Sequence, residues 1–405
     1  MSLAASEPHA LGVQWRLALA GALLLSSALV YGSARDKAFV SGPYLVAPGA
    51  QRVTIRGFTA KETRWTVVPL SLGAPHGEEP APTREHNVEL TRLPLDRTVE
   101  VQVLENGQPM EGGRLRFRTD PGPTGAAFDF CVVGDSGGSP NRLLELFGYT
   151  PREGAKHRPD RIVSVMSAER PQLLLHVGDV VYPHGERENY ARAFFRPFRP
   201  LIAAAPIAAA VGNHDLKTDA GMPFLQAFGS KESPPLSEGK YRSFDYGPLH
   251  VAVLNSNVED SDQIDEQVKW LQNDLRTAQR PWKIAITHVP LYFSSDEQRT
   301  SVGAAQQRVC DALRSACEGG GVSVVFAGHH HWYERSKPLR GVVQIITGGG
   351  GDDIKRYYPG DFARAESYFH FVHARALGDV MTIRAIRETG EELEPDGGYR
   401  LFRRK

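Results

Sequence analysis

Five times between residues 128 and 331 an apolar run stops and a polar cluster rich in metal-ligand side chains follows at once. The runs are Phe128 to Val133, Gln172 to Val177, Pro206 to Val211, Lys283 to Thr287 and Val322 to Ala327. The clusters are Gly134-Asp135-Ser136-Gly137, Gly178-Asp179-Val180-Val181-Tyr182, Gly212-Asn213-His214-Asp215, Thr287-His288-Val289-Pro290 and Gly328-His329-His330-His331. In open α/β sheets the carboxyl ends of the strands form the ligand crevice, so five such ends can converge on one site. A glycine before four of the clusters allows tight turns and close backbone approach. Taken singly, Gly-Asp after a strand is usually a turn or helix cap, Asn-His-Asp favours turns, and a strand-end histidine such as His288 is more often a core residue. It is the ordered set that points to metal chemistry, because imidazole and carboxylate are common metal ligands.

Local geometry sharpens this. In an extended loop His329 and His331 point to one side and His330 to the other. Asp179 and Tyr182, three apart, share a side if a helical turn begins after the strand. Further strands are expected at His250 to Leu254 and Val342 to Ile346, with Tyr368 to Ala374 and Val380 to Ile386 closing the domain. Helices are expected at Arg161 to Glu169, Gln263 to Ala278 and Gly303 to Cys317. The second of these places Ile264, Val268, Leu271 and Leu275 at spacings of three and four, the pattern of a core-facing helix. Strands alternating with such helices define an α/β domain.

The chain before this domain has a different texture. Half-buried strands are expected at Arg52 to Arg56, Arg64 to Val68, Asn87 to Leu90, Val99 to Val103 and Arg114 to Arg118, and these would form a small antiparallel sandwich. Gly73 to Thr83 reads as a surface loop and Pro121-Gly122-Pro123 as a linker. At the N-terminus Arg16 precedes the apolar run Leu17 to Tyr31 and the small-residue triplet Gly32-Ser33-Ala34, the pattern of an export signal. It would be either cleaved or, extended back through Leu11, kept as a membrane anchor. The 47 basic and 47 acidic residues cancel, so no global field favours nucleic acid as a partner. The three cysteines, Cys131, Cys310 and Cys317, exclude a dense disulfide framework, and none looks catalytic.

The five clusters together resemble the motifs of the calcineurin-like metallophosphoesterases, and Tyr182 within GDVVY resembles the purple acid phosphatase branch. AGHHHWYER around His331, the stretch from Gln267 to WKIAITHVPLY, YRSFDYG from Tyr241 and ITGGGGDD from Ile346 are similar to that family as well. SGPYLV and LRFRTDP, at the two ends of the front region, resemble the fibronectin-III-like domain of plant-type members. The resemblance implies two metal ions. One would be held by Asp135, Asp179, Tyr182 and His331, the other by Asp179, Asn213, His288 and His329, with Asp179 bridging. The first set, rich in anionic oxygen, suits Fe(III); the second suits Zn, Mn or Fe(II). Such a pair would polarise the phosphoryl oxygens and lower the pKa of a bound water, making hydroxide available for in-line attack. His214 matches the histidine that contacts phosphate or protonates the leaving group, and Asp215 beside it could orient its imidazole. His184, His250 and His330 read as non-ligands.

Two departures from the family stand out: LYFSSDEQRTS after His288 carries no histidine, and the strand from His250 ends in Leu254-Asn255-Ser256 where many relatives have aspartate. The fold expected is α/β, a metallophosphoesterase β-sandwich of two mixed sheets flanked by helices, preceded by an all-β fibronectin-III-like sandwich. Its divisions would be 1–34 signal or anchor, 39–120 front domain, 127–390 catalytic domain and 391–405 tail. The expected activity is hydrolysis of phosphate monoesters by an exported enzyme. A phosphodiesterase or nucleotide hydrolase with the same metal core is the alternative, with Tyr292, Glu334, Arg335 and Arg356 as candidate pocket residues that the sequence does not rank. A surface binding protein with a vestigial site is the reading from another class, and a lactamase-type zinc hydrolase would want an aspartate and a histidine where Trp332, Tyr333 and Glu334 follow.

Overall fold

Alternation in the front region becomes two facing sheets. The computed structural model describes residues 41–71, 73–124, 127–137, 159–230, 239–394 and 396–403. The expected signal or anchor lies outside these, and among the described residues no helix is long and apolar enough to cross a membrane. Strands β1 (Ser41–Gly49), β2 (Arg52–Thr63) and β5 (Thr83–Leu90) pair antiparallel, facing a sheet ordered β4-β3-β6-β7. The members of the latter are β3 (Trp65–Pro69), β4 (Gly77–Glu78), β6 (Thr98–Glu105) and β7 (Gln108–Arg118). In β7 Leu115 and Phe117 are buried while Arg114, Arg116 and Arg118 are exposed, as period-two patterning requires. Leu45, Ile55, Trp65, Val88 and Val101 from both sheets share one core. The stretch expected as a loop, Gly73 to Thr83, includes the short strand β4, and Glu79 next to it is buried, accepting from the main-chain N–H of Trp65 at 2.9 Å.

β1 pairs antiparallel with β2 on one side and parallel with β10 (Ile207–Ala209) on the other, so the front region and the α/β region share a sheet. That sheet has nine strands in the order β20-β19-β18-β8-β9-β10-β1-β2-β5. β8 (Phe128–Val133) and β9 (Leu173–His176) run parallel with β10, whereas β18 (His370–Leu377), β19 (Val380–Arg387) and β20 (Tyr399–Phe402) are antiparallel. Across the seam, Arg56 of β2 donates to the carbonyls of Gln226, Ala227 and Gly229 at 3.0–3.1 Å, and the Tyr44 hydroxyl of β1 donates to Ala227 O at 3.0 Å. Gln226 and Ala227 lie in the last turn of the short helix Met222–Phe228 and Gly229 follows it, so both side chains bind carbonyls at the C-terminus of the helix that follows the His214 loop.

The second sheet has the order β11-β12-β13-β14-β16-β15-β17. Its strands are β11 (Arg242–Tyr246), β12 (Leu249–Val253), β13 (Trp282–Ile286), β14 (Val324–Ala327), β15 (Tyr333–Arg335), β16 (Val343–Thr347) and β17 (Arg364–Glu366). Phe130, Val132 and Leu175 of the first sheet meet Ile284, Phe326 and Ile345 of the second in the main core. Helices α1 (Pro159–Ala168), α2 (Ser261–Thr277) and α3 (Ala304–Gly319) flank the sheets. α2 and α3 bury Ile264, Leu271, Leu275, Val309 and Leu313 with Cys310 and Cys317, both free thiols, against the second sheet. α2 starts two residues before its expected Gln263 because the Asp260 side chain accepts from the N–H groups of Asp262 and Gln263 at 3.0 Å. This is the expected pair of mixed sheets flanked by helices.

The ligand-bearing strands β8, β9, β10, β13 and β14 are parallel within their sheets, which brings their carboxyl ends to one rim. His250, at the other end of β12, is read as a non-ligand, and the fold gives it a different task. Its ring lies 2.8 Å from both Asp245 Oδ1 and Asp274 Oδ2; Ser243 donates to Asp274 and Arg280 pairs with Asp245. Burial disfavours the charged ring, but the two aspartates outweigh it and raise its pKa to about 9. A raised folded-state pKa means that the stabilisation is complete below the unfolded value of about 6.5 and is lost as pH climbs through about 9. His250→Gln should therefore cost about 2 kcal/mol in urea denaturation at pH 6. The gap to wild type should close by about pH 10; a gap that stays constant with pH would refute the charged pairing.

Candidate metal centre

Each strand end delivers its side chains through a tight, partly strained turn. Asp135, Asp179 and His329 all have positive φ, at 55°, 49° and 68°. Such conformations are uncommon for residues with a Cβ and persist where surrounding structure imposes them. The loops are stapled together through the backbone: Asp135 N–H donates to Gly178 O at 3.0 Å, and Asp352 N–H, from the glycine-rich turn after β16, donates to Asp135 O at 2.9 Å. Glycine is required where loops cross. A Cβ on Gly212 would stand 2.0 Å from Asp179 N, and one on Gly178 would stand 2.7 Å from the His288 ring.

Asp135, Asp179 and His288, all buried, place one ligand atom each within 4.8 Å of one another. Around Asp135 gather Tyr182, whose hydroxyl donates to Oδ1 at 2.8 Å, and His331, whose Nε2 lies 3.1 Å from that hydroxyl and 3.4 Å from Asp135 Oδ1. On the other side His288 Nε2 lies 3.0 Å from Asn213 Oδ1 and 3.3 Å from Asp179 Oδ2, and His329 Nδ1 lies 3.2 Å from Asn213 Oδ1. All seven residues expected as ligands thus lie in one cluster, with Asp135, Tyr182 and His331 in mutual contact on one side and Asp179, Asn213, His288 and His329 on the other. The far ring nitrogens are fixed. His288 Nδ1–H donates to Val177 O at 2.9 Å and His331 Nδ1–H to Asp353 O at 2.8 Å, which leaves each Nε2 free to coordinate.

Tyr182 reaches Asp135 through an open loop; the condition of a helical turn after the strand is not met, because Asp179 has a positive φ. His330 turns away, as alternation requires, and stacks on Trp332 with centroids 4.5 Å apart. Burial pushes the Asp179 carboxyl up, but His288 beside it more than offsets this and holds it well below the usual carboxylate range. Burial likewise opposes charge on His288, yet Asp179 lifts it to about 9. Burial, then Asp135, push the Tyr182 phenol well up. A metal fits this donor set: Asp135 and Asp179 are buried, and among the described residues neither has a lysine or arginine partner. Buried charge of that kind is paired or coordinates an ion.

Asp215 does not orient the His214 ring. It is fully buried and accepts from Val180 N–H at 3.2 Å, Gly212 N–H at 2.9 Å and the Tyr190 hydroxyl at 2.6 Å, tying the β9 and β10 loops together. Neighbours on a helical turn do not face each other, and residues Asp215–Lys217 form a short 3-10 turn. The His214 ring is held instead by Pro183 O, 2.7 Å from Nδ1, and by Lys217 Nζ, while its main-chain N–H donates to Asp179 Oδ1 at 2.8 Å. Lys217 went unread because a single lysine after GNHDL carries no pattern. Of the candidate pocket residues, Glu334 is buried against Trp332 Nε1 and Gln298, and Arg335 pairs with Glu394 at 2.7 Å, so both serve packing. Asn255, at the departure noted after β12, is gripped by Gln267, which accepts from its N–H and donates to its carbonyl at 2.8–2.9 Å.

Residues 128–333 match the calcineurin-like phosphoesterase family. Mouse acid phosphatase type 7 is 30% identical over 268 residues, which is 53% of this chain and 60% of that protein. Arabidopsis thaliana purple acid phosphatase 15 is 27% identical over 50% of this chain and 44% of its own length. The chain therefore spans less than two thirds of these relatives. Among solved structures, the purple acid phosphatase PPD1 from yellow lupin seeds superposes with a TM-score of 0.71 at 16% identity, covering 89% of this chain and 73% of that one.

Proposed function

The chain belongs to the calcineurin-like phosphoesterase family, and from that premise we propose that it hydrolyses phosphate monoesters at a dinuclear metal centre. The observation that carries the proposal is the pair of buried carboxylates, Asp135 and Asp179, ringed by imidazole, amide and phenol and with no lysine or arginine partner among the described residues. Asp135, Asp179, Tyr182 and His331 would hold one ion; Asp179, Asn213, His288 and His329 would hold the other. Bound there, two ions would supply positive charge to the phosphoryl oxygens and lower the pKa of a water for in-line attack.

The chain's own groups do the rest. Val177 O and Asp353 O orient His288 and His331. Asp215 keeps the two central loops in register, and His214, half-buried at the edge of the cluster, is placed to bind phosphate or to protonate the departing oxygen. The anionic oxygens of Asp135 and Tyr182 favour Fe(III) on that side and Zn, Mn or Fe(II) on the other.

The test compares an aryl phosphate monoester with its diester, before and after chelation. Monoester turnover that disappears on stripping and returns on reloading is expected, with a visible tyrosinate-to-iron absorption in the iron-loaded protein. Preference for the diester would make it a phosphodiesterase, and inactivity on both after reloading would remove the hydrolytic reading.

A further inference from the structure

Lys217 lies outside the ligand set, yet its ammonium sits on the candidate catalytic imidazole, 3.0 Å from Nδ1 and 3.1 Å from Nε2 of His214. Nδ1 is 2.7 Å from Pro183 O and donates its proton there, and an ammonium nearly equidistant from both ring nitrogens lies over the ring face, off the in-plane lone pair of Nε2, so no directed hydrogen bond holds it. Lys217 is exposed and makes no ion pair among the described residues. It lies three positions after His214, and the short turn Asp215–Lys217 folds the two side chains toward each other. Asp215 in turn anchors that turn to the β9 loop, so the position of Lys217 relative to the centre is set by buried bonds, while its head stays mobile on a four-carbon stem.

We infer that Lys217 leaves the His214 ring to bind the non-bridging oxygens of the substrate phosphate, and so biases the site toward dianionic monoesters. An ammonium gains more from an anionic oxygen than from a neutral imidazole nitrogen. A monoester dianion carries two charges and three unblocked oxygens, whereas a diester carries one charge and two unblocked oxygens, so the gain is larger for the monoester. This rests on the phosphoesterase reading, and it adds a cation to a centre whose own side chains are carboxylate, amide, phenol and imidazole.

The test uses the metal-loaded full chain with Lys217→Met and Lys217→Arg. Calorimetric titration with inorganic phosphate should show binding weakened roughly tenfold in K217M and largely restored in K217R. Monoester kcat/KM should fall roughly 10- to 100-fold, mostly through KM, with diester turnover changed by less than about threefold. Unchanged phosphate affinity, or equal losses on both esters, would overturn the inference and make Lys217 a support for the loop. Wild-type protein that binds phosphate but hydrolyses neither ester would sink the phosphoesterase reading, while the phosphate titration would still decide Lys217.

Discussion

Asp179→Asn should lower monoester turnover by at least about a thousandfold and should also cost the metal-free protein about 1–3 kcal/mol of stability at neutral pH. The two halves of this result come from one geometry. Asp179 is buried, its Oδ1 accepts the His214 N–H at 2.8 Å and its Oδ2 lies 3.3 Å from His288. Asparagine has nearly the same shape and can keep one oxygen on the His214 N–H, so the fold survives. What goes is the negative charge that both halves of the donor set share, and a neutral amide cannot bridge two cations. In the absence of metal the same charge pairs with His288, which holds the Asp179 carboxyl well below its usual range, so the stability it contributes is present above the ordinary carboxylate pKa and is missing in the variant. Thermal melting of the stripped proteins and metal content by emission spectroscopy would check both halves. Retention of full metal loading by the variant would show that Asp179 is not shared.

Gly212→Ala should be nearly as damaging, although every candidate ligand remains. Its Cβ would fall 2.0 Å from Asp179 N and 2.1 Å from Asp179 Oδ1, and the first of these is backbone that cannot swing aside. The β9 and β10 loops would have to part, breaking the Gly212 N–H bond to Asp215 that holds them at 2.9 Å. Activity should drop at least about a hundredfold, with a stability loss of about 1–3 kcal/mol from overpacking. Gly319→Ala, at the end of α3 with nothing near its Cβ, is the matched control and should leave turnover unchanged. Near-normal turnover of the Gly212 variant would mean that the two loops are not as closely apposed as this packing requires.

The strand ends were legible because apolar runs and ligand-type residues are local signals, and their convergence follows from the parallel order of β8, β9, β10, β13 and β14. What stayed hidden depends on conformations that composition does not encode. β1 was missed as a strand because its nearly continuous apolar run, bracketed by prolines, lacks alternation; both of its flanks are covered, by β2 and β10. β20 falls in the expected tail because Tyr399–Phe402 is only four residues long, too short for alternation to stand out. The path of Tyr182 hinges on a positive φ at Asp179, and the task of Asp215 on a turn that sends adjacent side chains apart. Second contacts such as Val177 O and Asp353 O are main-chain groups, identical in every residue and therefore silent in a sequence.

The parallel pairing of β1 with β10 makes the front sandwich a poor candidate for modular exchange. Excised at the linker after Asp120, the phosphoesterase part would lose the arginine that caps the helix Met222–Phe228 and would bare the flank of the strand that leads into Asn213 and His214. A bared strand flank recruits whatever strand it meets, including its own kind. Inheritance of this centre is thus tied to inheritance of the residues from Ser41 onward: the two regions travel as one piece or lose solubility together.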